Sequence, residues 1–272
     1  MGAPTSETNR VSRVQGAGLT LAYREWNAVA EGEPLVLLHG ITGSGANWGA
    51  TASHLQSRRL IALDARGHDE SDWDPGEAYG GDQHFADVAT ALDELEVEHC
   101  VLVGFSMGGS VAILTAACIP DRIAAVVVID AYPPPRMTTG SRRIAGWVST
   151  AHDENRSFDP AIARHLREMM AAGDDERSDL RPMWEAIECP SLVVRGAQSD
   201  VLPRDVADDM LRLQPRSRLV TIPAVAHAIP LYKPRELAVA LADFADSIEG
   251  RGDAGTQSNN GRSLVSPFRA GG

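Results

Sequence analysis

Basic residues are in the minority in this 272-residue chain: 25 lysines and arginines against 37 aspartates and glutamates, a formal net charge of −12. A nucleic-acid partner would need a basic face, so that class is disfavoured. Anionic membrane surfaces are disfavoured for the same reason. Net acidity alone serves solubility and specifies no cationic substrate. No apolar run reaches the roughly 18 residues of a transmembrane helix. Met1 to Arg13 is polar and lacks the apolar core of a signal peptide, so a cytoplasmic protein is expected. Cysteine is scarce. Cys100, Cys118 and Cys189 are odd in number and widely spaced, with no C-x-x-C pair and no zinc-site spacing. Cys100 and Cys118 fall in apolar stretches and read as small core residues. There is no G-x-G-x-x-G after a first strand and no Walker motif, so no nucleotide, flavin or metal cofactor is expected.

What the chain has is alternation. Apolar strand-like runs alternate with helical patterns, the mark of a parallel α/β sheet. Arg13 to Trp26 reads as one or two strands. Further runs are Pro34 to Leu38, Leu60 to Leu63, Cys100 to Val103, Ile123 to Ile129, Ser191 to Val194 and Arg218 to Ile222. Continuous apolar strands imply helices on both faces. Phe85, Val88, Ala89, Leu92 and Leu95 recur at helical spacing, with Asp82 as a candidate N-terminal cap. Val111, Leu114 and Cys118 line a second helix, and Leu237, Leu241, Phe244 and Ile248 a last one. The expected organisation is an α/β core over 14–131 and 189–249, a helical cap inserted over 132–188, and disordered ends over 1–13 and 250–272.

Gly104-Phe105-Ser106-Met107-Gly108 matches G-x-S-x-G. It stands directly after an apolar strand and directly before a helix, where the mechanism of this motif needs it. The two glycines let neighbouring backbone pass close to the serine, and a helix N-terminus favours developing negative charge. Serine needs a base to act as a nucleophile. The chain order is serine, acid, histidine, and His227 lies in the loop between the last strand run and the last helix. For the acid two aspartates compete at the carboxyl edge of the sheet. Asp130 closes the run Val126 to Ile129, and Asp200 follows Gly196 in a polar loop. Asp130 is favoured because packing fixes the end of a core strand, and a charge there requires a partner.

His39-Gly40-Ile41-Thr42-Gly43, Asp64-Ala65-Arg66-Gly67-His68, Gly104 to Gly109 and the His227 loop together resemble the α/β-hydrolase superfamily, over roughly residues 14 to 249. The chain is most similar to its small bacterial carboxylesterase-like members, including enzymes like (E)-2-(acetamidomethylene)succinate hydrolase. The resemblance implies an eight-stranded, mostly parallel sheet and an oxyanion hole formed by the backbone N–H groups of Ile41 and Met107. In the commoner family pattern the acid follows the late strand as Gly-x-x-Asp. Ser199 occupies that position here, and members lacking the common acid tend to use the position matched by Asp130. Where the family often has glycine after Arg-Gly-His, this chain has Asp69. Arg66, Gly67, His68, Ser71 and His39 are read as structural.

The expected activity is hydrolysis of a small-molecule carboxylic ester through an acyl-enzyme. Amide, enamide, lactone or carbon–carbon cleavage needs the same triad, and a ligand sensor on the same fold is the alternative of another class. A homo-oligomer is left open. Trp147, Met169, Met170, Met183 and Trp184 are candidates for an apolar pocket wall or the cap's own core. Arg142, Arg143, Arg164 and Arg167 could serve an anionic substrate. The cap acids Asp174, Asp175, Glu176 and Asp179 read as a solvated face, with esters of cationic alcohols as a lesser idea.

Overall fold

The computed structural model describes residues 10–133, 137–150, 157–172 and 179–256. Among the described residues eight strands form one sheet. They are β1 (Val11–Gln15), β2 (Thr20–Trp26), β3 (Leu35–Leu38), β4 (Leu60–Leu63), β5 (Cys100–Phe105), β6 (Ile123–Ile129), β7 (Ser191–Gly196) and β8 (Ser217–Ile222). Their order is β1-β2-β4-β3-β5-β6-β7-β8. β2 pairs antiparallel with β1 and β4, and every other pairing is parallel. The helices are α1 (Gly49–Ala52), α2 (Gly81–Glu94), α3 (Met107–Cys118), α4 (Thr139–Thr150), α5 (Pro160–Ala172), α6 (Arg181–Ala186), α7 (Arg204–Leu213), α8 (Ile229–Tyr232) and α9 (Pro234–Thr256). No described helix is long and apolar enough to cross a membrane.

The strand runs are continuous because both faces are covered. Side chains alternate across a strand, so Val36 and Leu38 of β3 enter one core with Val88, Leu92, Val111 and Ile113, while Leu35 and Leu37 enter the other with Trp48, Leu237, Leu241 and Phe244. Each such side chain contributes roughly 1.5–3 kcal/mol by leaving water. The sheet is thereby rigid, and the loops at its carboxyl edge start from fixed points.

Between β6 and β7 the chain leaves the sheet. Helices α4 and α5 pack on each other around Val148, Ile162 and Leu166, with Phe158 and Tyr79. This small cap is tied to the body twice. The Asp69 N–H donates to the Ser157 carbonyl at 2.8 Å and the Asp159 N–H to the Gly67 carbonyl at 2.7 Å, and the Tyr79 hydroxyl donates to Asp159. At its other end the Gly140 N–H donates to the Asp200 carbonyl at 3.1 Å.

Several boundaries differ from the sequence reading. Helix α6, placed within the cap by sequence, packs against α3 and α7. Trp184 is fully buried in the main core and donates its indole N–H to the Met210 carbonyl at 2.9 Å, so it walls no pocket. Residues 11–13, expected to be disordered, belong to β1 because Val11 and Ser12 find partners in Arg24 and Tyr23. Helix α9 runs to Thr256, past residue 249. Asp82 is not the cap of α2: Gly80 holds that position, and Asp82 stands in the first turn, where its charge still suits the helix dipole. Cys118 is exposed, because α3 ends there beyond the core layer. Cys100 is buried, and burial pushes its thiol up to about 12. The expected disorder of 1–9 and 257–272 falls outside the described residues.

Candidate active site

Strand β5 ends at Phe105, and Ser106 follows with φ 53° and ψ −116°, a conformation a side chain rarely adopts. The turn holds because the surrounding backbone leaves no room for another path. A Cβ at Gly104 would lie 2.1 Å from the Gly108 carbonyl oxygen, and one at Gly108 would lie 2.4 Å from the Leu38 carbonyl oxygen. The hydroxyl of Ser106 is thus lifted above the sheet at the N-terminus of α3.

His227 sits after β8, before α8. Its Nε2 is 3.1 Å from Ser106 Oγ and its Nδ1 is 2.8 Å from Asp130 Oδ2. An aspartate accepts only, so Nδ1 carries the proton and Nε2 is left to accept from the serine. The ring leans on Phe105, with centroids 4.8 Å apart.

Asp130 is fully buried at the end of β6. A bare carboxylate there would be costly. Three donors meet it: His227 Nδ1–H, the Gly196 N–H at 3.0 Å on Oδ1, and the Ser199 hydroxyl at 2.5 Å on Oδ2. The competing Asp200 does not approach His227. Its side chain is 41% exposed and pairs with Arg143 of α4 at 2.9 Å, so it belongs to the cap attachment. Ser199, at the position of the commoner family acid, supports Asp130 instead of replacing it. The sequence reading noted this serine without a role for it; a short polar side chain just past a strand end was the available signal.

The loop after β3 passes beside Ser106: a Cβ at Gly40, the residue before Ile41, would lie 3.3 Å from Ser106 Cβ. Among the described residues neither the Ile41 N–H nor the Met107 N–H has a hydrogen-bond partner. The Gly40–Ile41 peptide is held from its carbonyl side. The Ala65 N–H donates to His39 Nε2 at 2.9 Å, which leaves the proton on Nδ1 to donate to the Gly40 carbonyl at 2.7 Å. The Gly43 N–H donates to the same carbonyl at 2.8 Å. Because C=O and N–H point opposite ways in a trans peptide, anchoring the carbonyl aims the Ile41 N–H away from His39. Burial, reinforced by the nearby His68, lowers the His39 pKa to about 3, which keeps the ring neutral in this role.

The Asp64–His68 segment is structural. Arg66 bonds Asp87 through Nε at 2.6 Å and Nη2 at 2.9 Å, and His68 Nε2 lies 2.8 Å from the Ile41 carbonyl. The Ser71 hydroxyl donates to the Asp64 carbonyl at 2.7 Å and accepts the Ala22 N–H. Asp69 fills the position where glycine is common with φ 45°, and Arg24 holds its carboxylate at 3.1 Å.

Ile41, Met137 and Ile144 are partly buried, and each packs against the apolar cap cluster of Tyr79, Val148, Phe158 and Ile162. Of the residues expected to line a pocket wall, Trp147 is 60% exposed and Met183 lies at the surface, while the Met169 and Met170 side chains lie outside the described residues. All four candidate arginines have interaction partners. Arg143 pairs with Asp200, Arg164 with Glu77, and Arg167 donates to the Ser149 carbonyl. Of the cap acids, Asp179 pairs with Arg181 on the surface; Asp174, Asp175 and Glu176 lie outside the described residues.

A serine on a tight strand-to-helix turn, a histidine behind it and a mostly parallel sheet with this strand order define the α/β hydrolases. A family model described as alpha/beta hydrolase fold matches residues 33–156. The sn-1-specific diacylglycerol lipase ABHD11 of Xenopus tropicalis is 31% identical over 288 residues, spanning 89% of this chain and 86% of its own length. The 2-(acetamidomethylene)succinate hydrolase of Mesorhizobium japonicum is 26% identical over 284 residues, 91% of this chain and 99% of its own. A thermophilic esterase from Thermogutta terrifontis superimposes with a TM-score of 0.70 over 88% of this chain and 99% of that one, at 24% identity, a likeness of fold alone. The chain belongs to the α/β-hydrolase superfamily and is a hydrolase.

Proposed function

We propose that this protein hydrolyses a neutral small-molecule carboxylic ester through an acyl-enzyme on Ser106, with His227 as general base, Asp130 as the acid that orients it, and Ile41 and Met107 as oxyanion donors. The observation that carries this reading is the continuous hydrogen-bonded chain from Ser106 through His227 to Asp130. Ser106 Oγ attacks the ester carbonyl carbon while its proton passes to His227 Nε2. Charge gathers on the former carbonyl oxygen, where two backbone N–H groups stabilise it. The tetrahedral intermediate expels the alkoxide, which takes the proton from Nε2 and departs as the alcohol. Water then gives a proton to Nε2, its oxygen bonds the acyl carbon, and the bond to Ser106 Oγ breaks with return of the proton. Asp130 remains ionised throughout and stabilises the imidazolium.

The neutral substrate class is supported by the engagement of Arg143, Arg164 and Arg167 with other partners and by the apolar cap cluster on which Ile41 packs. The relatives act on ester and amide bonds alike by their names, and the same triad serves both. The test pairs p-nitrophenyl butyrate with the p-nitrophenyl monoester of succinate. The neutral ester should be favoured at least about tenfold in kcat/KM, a difference of about 1.4 kcal/mol, and intact mass should register an acyl group that Ser106→Ala lacks. Preference for the anionic ester, or no acyl adduct, would reject the reading.

A further inference from the structure

We infer that Ser199 is a positioning residue for the triad acid, and that the turn carrying it joins that acid to the cap; this rests on the reading of Asp130 as the acid. Ser199 is buried at 6% exposure. Its Oγ receives the N–H groups of Val201 at 3.1 Å and Leu202 at 3.3 Å. Both of those groups are donors and cannot accept, so the single hydroxyl proton is directed to Asp130 Oδ2, 2.5 Å away. That same oxygen receives His227 Nδ1–H, while Oδ1 is occupied by the Gly196 N–H. The carboxylate cannot rotate without giving up one of these bonds, so Ser199 helps fix the plane in which His227 is held.

The hydroxyl also tempers charge. A donor on Oδ2 draws negative charge from the atom that faces the imidazole. The next two residues of the turn look the other way. The Asp200 carbonyl receives the Gly140 N–H at 3.1 Å, and the Val201 carbonyl receives the Thr138 hydroxyl at 3.0 Å, both at the start of α4. One short turn therefore contacts the acid through Ser199 and the cap through Asp200 and Val201. The charged side chains bonded to this turn are Arg195 at the end of β7, which donates to the Leu202 carbonyl at 3.1 Å, and Arg143 of α4, which pairs with Asp200; α7 beyond it carries Arg204, Asp205, Asp208, Asp209 and Arg212.

The experiment is kcat and KM for p-nitrophenyl butyrate in wild type, Ser199→Ala and Ser199→Thr, with Ser106→Ala and Asp130→Asn alongside. In Ser199→Ala the carboxylate plane is freer, so kcat should fall about tenfold with KM within about twofold. Ser199→Thr, which keeps the hydroxyl, should restore kcat. If Ser199→Ala does not fold, Ser199→Cys, a weaker donor of similar size, should lower kcat with KM unchanged in the same way. An unchanged kcat, a change confined to KM, or a loss that threonine does not restore, overturns the inference while leaving the triad standing. Full activity in Asp130→Asn would instead overturn the reading beneath it.

Discussion

Ser106 and Asp130 are neighbours across the sheet: Phe105 and Ile129 are register partners at the ends of β5 and β6, and the Ser106 N–H donates to the Ile129 carbonyl at 3.0 Å. Both residues then turn through positive φ, 53° and 46°. Two adjacent parallel strands thus end at one height and deliver a serine hydroxyl and a carboxylate to one edge. His227, from the loop beyond β8, closes the gap between them. The strain at both turns is held by packing on either side of the sheet.

The nucleophile turn depends on backbone closeness, which gives the simplest test of its construction. Gly104→Ala would drive a methyl to 2.1 Å from the Gly108 carbonyl oxygen, with only backbone to move. A loss of more than about 3 kcal/mol is expected, read as a lower midpoint in denaturant with activity lost alongside. Wild-type stability would mean the turn has slack that the close contact denies.

His39 offers a test of the oxyanion peptide that leaves the triad untouched. His39→Ala removes the donor from the Gly40 carbonyl and loosens the Ile41 N–H. Because an oxyanion donor acts in the transition state, kcat should fall about 10- to 100-fold with KM nearly constant. A change confined to KM would place His39 in substrate binding instead.

Buried neutral histidines predict an acid-labile fold. Burial, with the nearby charge of His68, holds His39 and His84 at about 3, against 6.5 when unfolded. Between those values the unfolded chain binds more protons, so stability is fully present above pH 6.5 and is lost as pH falls toward 3. Thermal midpoints measured from about pH 7 down to about pH 4.5 should drop, and His84→Gln should make the slope shallower. A flat profile would refute the neutral, buried assignment.

Arg66 and Asp87 form a buried pair beneath the same loop, and the Ala17 N–H shares the carboxylate. Asp87→Ala would leave the guanidinium with Asp74 and two carbonyls. A loss of about 3–5 kcal/mol is expected from chemical unfolding. Less than about 1 kcal/mol would mean that the remaining partners suffice.

Much of this was legible in the sequence because the informative signals are local. Apolar runs between helical patterns gave the strands, and Gly104 to Gly108 declared the turn. The choice of Asp130 over Asp200 could be argued from the strand end. What escaped is long-range. That Ser199 meets Asp130 depends on a contact spanning 69 residues, and no periodicity encodes it. Trp184 looked like a cap residue because its short helix follows the insertion, yet Met210 draws it into the body. Asp200 serves the cap through Arg143, a partner on a different helix.

The most direct test of the central claim is p-nitrophenyl butyrate hydrolysis by Asp130→Asn beside Asp200→Asn. Asp130→Asn should lose about 10⁴-fold in kcat, as expected when the acid no longer holds its histidine. Asp200→Asn breaks only an exposed pair and should stay within about twofold of wild type. The reverse pattern, a silent Asp130→Asn and a crippled Asp200→Asn, would contradict the triad described.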